Sequence, residues 1–142
     1  MTKLDNLDKL FLRLKTLKEF VADLKKFQGV TQLQLESNKS KAREVDRTLE
    51  LTCECVLDIS RLIVSDLRLP VPENSKGYIL ALGKAGILEA DFAMSFAPIA
   101  GFRNILVHMY LNIDYGEVAD KINNRLEDFE IFSKSIAKYY EE

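Results

Sequence analysis

The stretch KAREVDRTLELTCECVLDISRLIVSDL, residues 41–67, decides the fold class because its apolar residues repeat with the spacing of an α-helix. They form two stripes on different sides of that helix. The first stripe consists of Val45, Leu49, Cys53, Val56, Ser60, Ile63 and Leu67, and the second of Leu51, Cys55, Ile59 and Leu62. A helix with two apolar sides must pack against two partners. The stretch therefore predicts the central helix of a helical bundle.

The third face of this helix is polar. It consists of Arg47, Glu50, Glu54, Asp58 and Arg61. Asp58 and Arg61 are three residues apart, a spacing at which helix side chains form ion pairs. One interpretation is a solvated outer face, which is the usual position of charged helix residues. The alternative is that Glu54 and Asp58 form part of the wall of a cleft between two subunits.

Helical patterns also lie on both sides of the central stretch. Between Leu4 and Phe27 a leucine-rich seam has spacings of three and four residues, and we expect Gly29 to end that helix. Residues 30–41 lack a clear period and predict a connector with room for a short helical turn. A proline-containing turn follows the central helix, and we expect the short helix after it to stop at Gly86.

The last third of the chain contains two further helical patterns. Residues 87–114 favour helix except at Pro98, which lacks a backbone N–H and predicts a kink or a restart. Asp114 and Glu117 have the spacing of a capping box. They predict a last amphipathic helix that extends to Tyr140.

No segment shows the alternation of a β-strand, so we expect an all-α protein, an up-and-down bundle of four to five helices formed by residues 1–142 as one domain. The hydrophobic fraction of 47% and the charged fraction of 30% are typical of globular proteins. A net charge of −2 provides no general attraction for nucleic acid. The longest apolar run, residues 92–102, is too short to span a membrane, so we expect a cytoplasmic protein without a membrane partner.

The two cysteines, Cys53 and Cys55, lie two residues apart. On a helix they point to nearly opposite sides, so we expect neither a disulfide between them nor a pair of metal ligands. We interpret them as reduced, buried thiols.

The chain's one histidine lies in GFRNILVHMY, residues 101–110. On an ideal helix, with Arg103 placed at zero, Asn104 lies at about 100°, His108 at about 140° and Tyr110 at about −20°. These polar side chains would share one arc. The opposite side would be apolar and consist of Ile105, Leu106 and Met109.

This combination of side chains suits the cleavage of RNA without a metal ion. An imidazole can accept a proton from a hydroxyl or donate one to a leaving oxygen near neutral pH. A guanidinium can bind a phosphate and stabilise the charge that develops in phosphoryl transfer. A two-fold dimer that brings two such helices together would place a pair of each in one cleft. The competing interpretation is a structural histidine that bonds to a neighbouring side chain.

The sequence AGFRNILVHMYLNID, preceded by GILEADFA and followed by ADKINNRLEDFEIF, resembles the HEPN superfamily and, within it, the HepT-like toxins. The hallmark of these toxins is the pattern Arg-x4-His-x-Tyr with a polar residue after the arginine. Arg103, Asn104, His108 and Tyr110 match it position by position. The resemblance extends from about Val45 to the C-terminus, whereas the N-terminal helix is similar only in type.

The resemblance implies a homodimeric HEPN fold with the motif helices at the interface and a metal-independent endoribonuclease that needs no cofactor. Arg103 and His108 would be catalytic, and Asn104 would support the histidine or the RNA phosphate. Glu54 and Asp58 could hold the orientation of His108 if they face the cleft. The resemblance also implies a minimal nucleotidyltransferase partner of the MNT type, an antitoxin that transfers AMP to the motif tyrosine, here Tyr110.

Two alternatives remain open at this point. The first is a non-catalytic module that binds the nucleotidyltransferase or only accepts AMP, which the low basicity of the chain favours. The second is a dimeric helical bundle in which Arg103 and His108 merely pair across the interface.

Overall fold

Eight helices follow one another in the part of the chain that the computed structural model describes, which comprises residues 3–109 and 111–141 without the side chains of residues 3–6. They are α1 (Lys3–Lys25), α2 (Gln32–Ser37), α3 (Lys39–Asp66), α4 (Ser75–Lys84), α5 (Ala90–Phe96), α6 (Ile99–His108), α7 (Tyr115–Asn124) and α8 (Leu126–Glu141). No strand occurs in these residues. The prediction of an all-α protein is confirmed.

The sequence predicted four to five helices, and the structure has more because three segments differ from the prediction. Thr31 begins α2 inside the expected connector, since its side chain accepts a hydrogen bond from the backbone N–H of Gln34 in a capping box. Pro98 stands between α5 and α6, as its missing N–H predicts. Arg125 separates α7 from α8, so the expected last helix consists of two.

Side-chain caps and glycines define several of the helix ends. Asn38, Asn74 and Asp114 begin α3, α4 and α7, and each side chain accepts a hydrogen bond from a backbone N–H two or three residues further on. Gly29 and Gly86 follow α1 and α4 with φ angles of +95° and +77°, which a side chain would disfavour. The expected stops at Gly29 and Gly86 and the expected N-terminal cap at Asp114 are therefore present.

The central helix of the bundle is α3, which packs against α1, α4 and α6. Its first predicted stripe is almost entirely buried, and in the second stripe Cys55 and Ile59 are buried whereas Leu51 and Leu62 are half-buried. Burial on several sides follows from the apolar pattern that the sequence shows. This position leaves the polar face of α3 beside α4 and α6.

The first helix runs antiparallel to both α3 and α8. Near its start, Leu7 and Leu10 line a small space together with Ile63 of α3 and Tyr140 of α8. Near its end, Lys25 forms an ion pair with Glu130 at the start of α8. The first helix thus packs against both α3 and α8.

An aromatic cluster joins α5 to α8. The ring of Phe96, which is 2% exposed, lies 5.0 Å from that of Phe92 and 5.5 Å from those of Phe129 and Phe132, measured between centroids. Aromatic rings at these separations contribute packing energy beyond the burial of their area. This cluster holds the end of α5, which leads into α6.

Both cysteines are unpaired and buried, on opposite sides of α3. The Sγ of Cys55 donates to the backbone carbonyl of Arg13 in α1 at 3.3 Å. Burial raises the pKa of Cys53 to about 12 and that of Cys55 to about 11, so both thiols stay protonated at neutral pH. The interpretation of both residues as buried, unbridged thiols is confirmed.

Within the described residues, none of the helices has the combination of length and apolar content that a membrane crossing requires.

Candidate functional site

The motif helix α6 has one buried side and one accessible side. Its buried side consists of Ile99, Ala100, Phe102 and Leu106. Arg103 is half-buried and Asn104 and His108 are exposed, so these three side chains lie on the accessible side. The local sequence produces this division because apolar and polar residues alternate at helical spacing.

The helix ends at His108, two residues earlier than the ideal-helix projection assumes. Met109 has φ −122° and ψ 37°, outside the helical range. The expectation that Met109 packs on the apolar side is wrong, because at this end of the helix its side chain turns outward and is 50% exposed. Tyr110 lies outside the described residues.

Arg103 makes polar contacts with two other side chains. Its Nε lies 2.6 Å from Oε2 of Glu54 in α3, and its Nη1 donates a hydrogen bond of 2.9 Å to Oδ1 of Asn104. Nε and Oε2 are both buried atoms, and neither has an aligned hydrogen bond to a described residue, so the contact is an ion pair. The side chain as a whole remains 24% exposed, so part of it is accessible to a ligand.

Glu54 also joins Arg103 to a second arginine. Its Oε1 lies 3.4 Å from Nη1 of Arg61, which pairs in addition with Oδ1 of Asp58 at 3.2 Å. The predicted ion pair between Asp58 and Arg61 is thus present. Two carboxylates and two guanidinium groups therefore alternate along the surface between α3 and α6.

Arg61 is fixed by α4 as well. Its Nη2 donates to Oγ of Ser75 at 3.4 Å, and its guanidinium lies 5.8 Å from the centroid of the Tyr78 ring, within the range of a cation–π contact. The N-terminal turn of α4 thereby supports the arginine that contacts Glu54. Asn74, the cap of that turn, determines where α4 begins.

The environment of Asp58 differs from that of an isolated surface carboxylate. Burial raises its pKa above the usual value, the charge of Glu54 raises it further, and Arg61 acts in the opposite direction. Both carboxylates contact arginines in the described residues. Neither carboxylate contacts His108 within the described residues of one chain, so their expected support of the histidine stays a prediction.

His108 stands at the last position of α6 with its imidazole exposed. Asn104, one helical turn before it, accepts a hydrogen bond from Arg103. Met109 and Leu111, which follow, are 50% and 82% exposed. The histidine therefore borders an apolar surface that is open to solvent.

A tether to α3 holds the chain just beyond the motif. The hydroxyl of Tyr115, at the start of α7, donates a hydrogen bond of 2.8 Å to Oδ2 of Asp46. Burial raises the pKa of Tyr115 to about 12, and its bond to the carboxylate acts in the same direction. The start of α7 is thus held against α3 by this hydrogen bond.

The sequence pattern did not reveal the contact of Glu54 with Arg103 or that of Tyr115 with Asp46. The polar face of α3 was visible as a helical repeat, and this repeat could have suggested that Glu54 contacts Arg61 as well. The partners of Glu54 and Asp46 in α6 and α7 have no signal of this kind, because they lie far away along the chain.

Comparison with known proteins identifies similar chains. A family model described as "Ribonuclease HepT-like" matches residues 17–136. The chain is 29% identical over 127 residues to the tRNA nuclease HepT of Aphanizomenon flos-aquae, across 89% of this chain and 86% of that protein. It is 29% identical over 84 residues to the mRNA nuclease HepT of Shewanella oneidensis, across 59% of this chain and 63% of that protein.

The fold is similar to that of one chain in a solved structure of the tri-AMPylated Shewanella oneidensis HEPN toxin in complex with MNT antitoxin. The TM-score is 0.81 at 22% sequence identity, and the superposition covers 97% of this chain and 99% of the other. At this identity the likeness concerns the fold alone.

Proposed function

This chain belongs to the HepT-like ribonuclease family, and we propose that it is the toxin of a toxin–antitoxin pair and cleaves RNA as a metal-independent endoribonuclease. The observation that carries the proposal is the arrangement on α6. Arg103 is held by Glu54 and Asn104 and stays partly exposed, and His108 is exposed one to two turns further along. A phosphate at the guanidinium would lie on the same helix surface as the imidazole. The relatives named as nucleases support the class of reaction.

The proposed reaction uses the ribose as the nucleophile. His108 accepts the proton of the 2′-hydroxyl, and the 2′-oxygen forms a bond to the adjacent phosphorus. The bond from phosphorus to the 5′-oxygen breaks, and that oxygen receives a proton as it leaves. Arg103 stabilises the negative charge that accumulates on the phosphate oxygens. The products are a 2′,3′-cyclic phosphate and a 5′-hydroxyl.

A homodimer would supply the second proton donor. The base and the acid act on opposite sides of the phosphorus, and one histidine cannot occupy both positions at once. In a two-fold dimer the partner's His108 could protonate the leaving oxygen. The exposed side chains of Met109 and Leu111 support an interface here, because large apolar side chains grouped next to a site favour contact with another chain.

An MNT-type nucleotidyltransferase antitoxin would silence the enzyme by transferring AMP to Tyr110. The motif and the fold similarity to the AMPylated toxin in complex with its antitoxin support this part of the proposal. The added phosphate would carry a negative charge two residues after His108, where it could pair with Arg103 and exclude RNA. The modification would therefore block the site without unfolding the protein.

The test is cleavage of purified RNA in the presence of a chelator. We expect cyclic phosphate ends from the unaltered protein and a loss of at least about 100-fold in rate for His108→Ala and for Arg103→Ala. Arg125→Ala, which removes an exposed arginine outside the site, serves as the matched control. Cleavage by His108→Ala at the rate of the unaltered protein would contradict the proposal.

The second candidate is a non-catalytic module that binds the nucleotidyltransferase and only accepts AMP. The net charge of −2 and the contact of Glu54 with Arg103 favour it, because both weaken attraction for RNA. Intact mass after co-expression with the antitoxin separates the two. This candidate requires AMP on Tyr110, its loss in Tyr110→Phe but not in Tyr139→Phe, and no cleavage of RNA by the unmodified protein.

A further inference from the structure

We propose that Glu54 is a positioning residue for Arg103 and that Arg61 in turn holds Glu54. The carboxylate fixes the Nε side of the Arg103 guanidinium, and Nη1 donates to Asn104, one helical turn before His108. The catalytic consequence rests on the proposed ribonuclease function, whereas the positioning itself does not.

The distances and the burial support a fixed arrangement. The contact of 2.6 Å between Nε of Arg103 and Oε2 of Glu54 is the shortest one that either side chain makes within the described residues, and both atoms are shielded from water. An ion pair without competing water is stronger than an exposed one. Among the described residues, neither Nε nor Oε2 has an aligned hydrogen bond. The ion pair is therefore the contact that holds these two atoms.

Arg61 restricts Glu54 from the opposite side. It contacts Oε1, the carboxylate oxygen that does not face Arg103. Arg61 is itself held by Asp58, by Ser75 and by the ring of Tyr78, so its position is fixed by two helices. The carboxylate is therefore held at both oxygens, one toward α6 and one toward α4.

The charge of Glu54 has a second effect on the site. A carboxylate next to Arg103 shares the charge of the guanidinium and lowers its attraction for any phosphate, including that of bound but unreacted RNA. Orientation, by contrast, is needed most in the transition state, where a misplacement of about 1 Å can cost about 100-fold in rate. Loss of Glu54 should consequently lower kcat without raising KM.

The kinetic test compares Glu54→Ala, Glu54→Gln and the matched control Glu50→Gln. Glu50 lies one turn before Glu54 on α3 and forms an ion pair of 2.6 Å with Arg47, outside the motif. We expect Glu54→Ala to lower kcat about 10- to 100-fold with an unchanged or lower KM. Glu54→Gln keeps an oxygen toward Arg103 and should recover part of kcat, and Glu50→Gln should behave as the unaltered protein.

A spectroscopic test reports on Arg103 independently of activity. In the unaltered protein the side-chain Nε–H signal of Arg103, identified by its loss in Arg103→Lys, should exchange slowly with water because Nε is buried. Glu54→Ala should make this exchange fast, and Glu50→Gln should leave it slow. Circular dichroism shows whether each variant is folded, and Glu54→Gln replaces Glu54→Ala if the latter is not.

The outcomes separate the two proposals. If the unaltered protein does not cleave RNA but Glu54 variants alter the Arg103 signal, the ribonuclease function fails and the positioning role stands. If RNA is cleaved while a folded Glu54 variant leaves both the Arg103 signal and kcat unchanged, the positioning role is wrong. A higher KM at unchanged kcat would also overturn it, since that result indicates a direct contribution to RNA binding.

Discussion

Replacement of Tyr115 by Phe tests the tether that anchors the chain just beyond the motif. The substitution removes only the hydroxyl that donates to Oδ2 of Asp46 at 2.8 Å. The other carboxylate oxygen, Oδ1, is already buried without a hydrogen-bond partner among the described residues. Tyr115→Phe therefore leaves a partly buried carboxylate with neither oxygen satisfied.

The magnitude follows from the charge of the acceptor and from the partial burial of the pair. A hydrogen bond to a charged group contributes about 1.5–3 kcal/mol, and solvent reduces this at a half-buried site, so we expect a loss of about 1–2 kcal/mol in the free energy of unfolding. For a chain of this size a loss of 1 kcal/mol lowers Tm by about 4 °C, which gives a decrease of about 4–8 °C. Tyr139→Phe, which removes a hydroxyl from a tyrosine that is 38% exposed, should change the stability by less than about 0.5 kcal/mol.

The loss should also depend on pH in a defined direction. Burial raises the pKa of Asp46 above its usual value of 3.8, and the bond from Tyr115 opposes that rise. A carboxyl with a raised pKa in the folded state stabilises the fold at low pH and loses that contribution as pH increases through the folded pKa. Because Tyr115→Phe raises the pKa of Asp46 further, its penalty should be largest at pH 7 and decrease as pH approaches 4.

Urea unfolding followed by circular dichroism, at several values between pH 7 and pH 4.5, measures both effects. In an Asp46→Asn background the amide oxygen still accepts the hydrogen bond but carries no charge, so the cost of Tyr115→Phe should be smaller and independent of pH. An equal cost at every pH, or the same cost in the Asp46→Asn background, would refute the reasoning from the buried carboxylate.

Two further predictions concern the core. Phe96→Ala removes the ring that contacts three other phenylalanines. Urea titration should show that it lowers the free energy of unfolding by about 3–5 kcal/mol. A loss below about 1 kcal/mol would contradict a central role for the ring. Burial raises the pKa values of Cys53 and Cys55 to about 12 and about 11. Neither thiol should therefore react with iodoacetamide at pH 8 in the native protein, and both should react in urea. Mass spectrometry detects the label, and rapid labelling of the native protein would show that the thiols are accessible.

The pattern of residues was sufficient for the helices and for the surface that each presents. Apolar residues of α3 repeat every three to four positions because a helix turns once in about 3.6 residues, and this periodicity is a local property of the chain. The N-terminal cap at Asp114 was likewise visible from residues close in sequence. The prediction that Met109 packs on the apolar side was wrong, because it assumed an ideal helix beyond His108, where α6 ends.

The motif was also visible in the sequence, but its roles remain proposals. Arg103, Asn104, His108 and Tyr110 match a spacing, and the spacing states which residue types recur together. It does not state which of them contact one another. The described structure adds that Asn104 accepts a hydrogen bond from Arg103.

The amino-acid sequence was enough to specify an all-helical chain with an Arg-x4-His-x-Tyr motif, because helix formation and residue spacing depend on near neighbours. The partners of the motif required the packed structure. Glu54 reaches Arg103, and Asp46 reaches Tyr115 across 69 positions, only because α6 and the start of α7 lie against α3 at one particular rotation and offset. That rotation results from the burial of many side chains at once, so no short stretch of the sequence contains it.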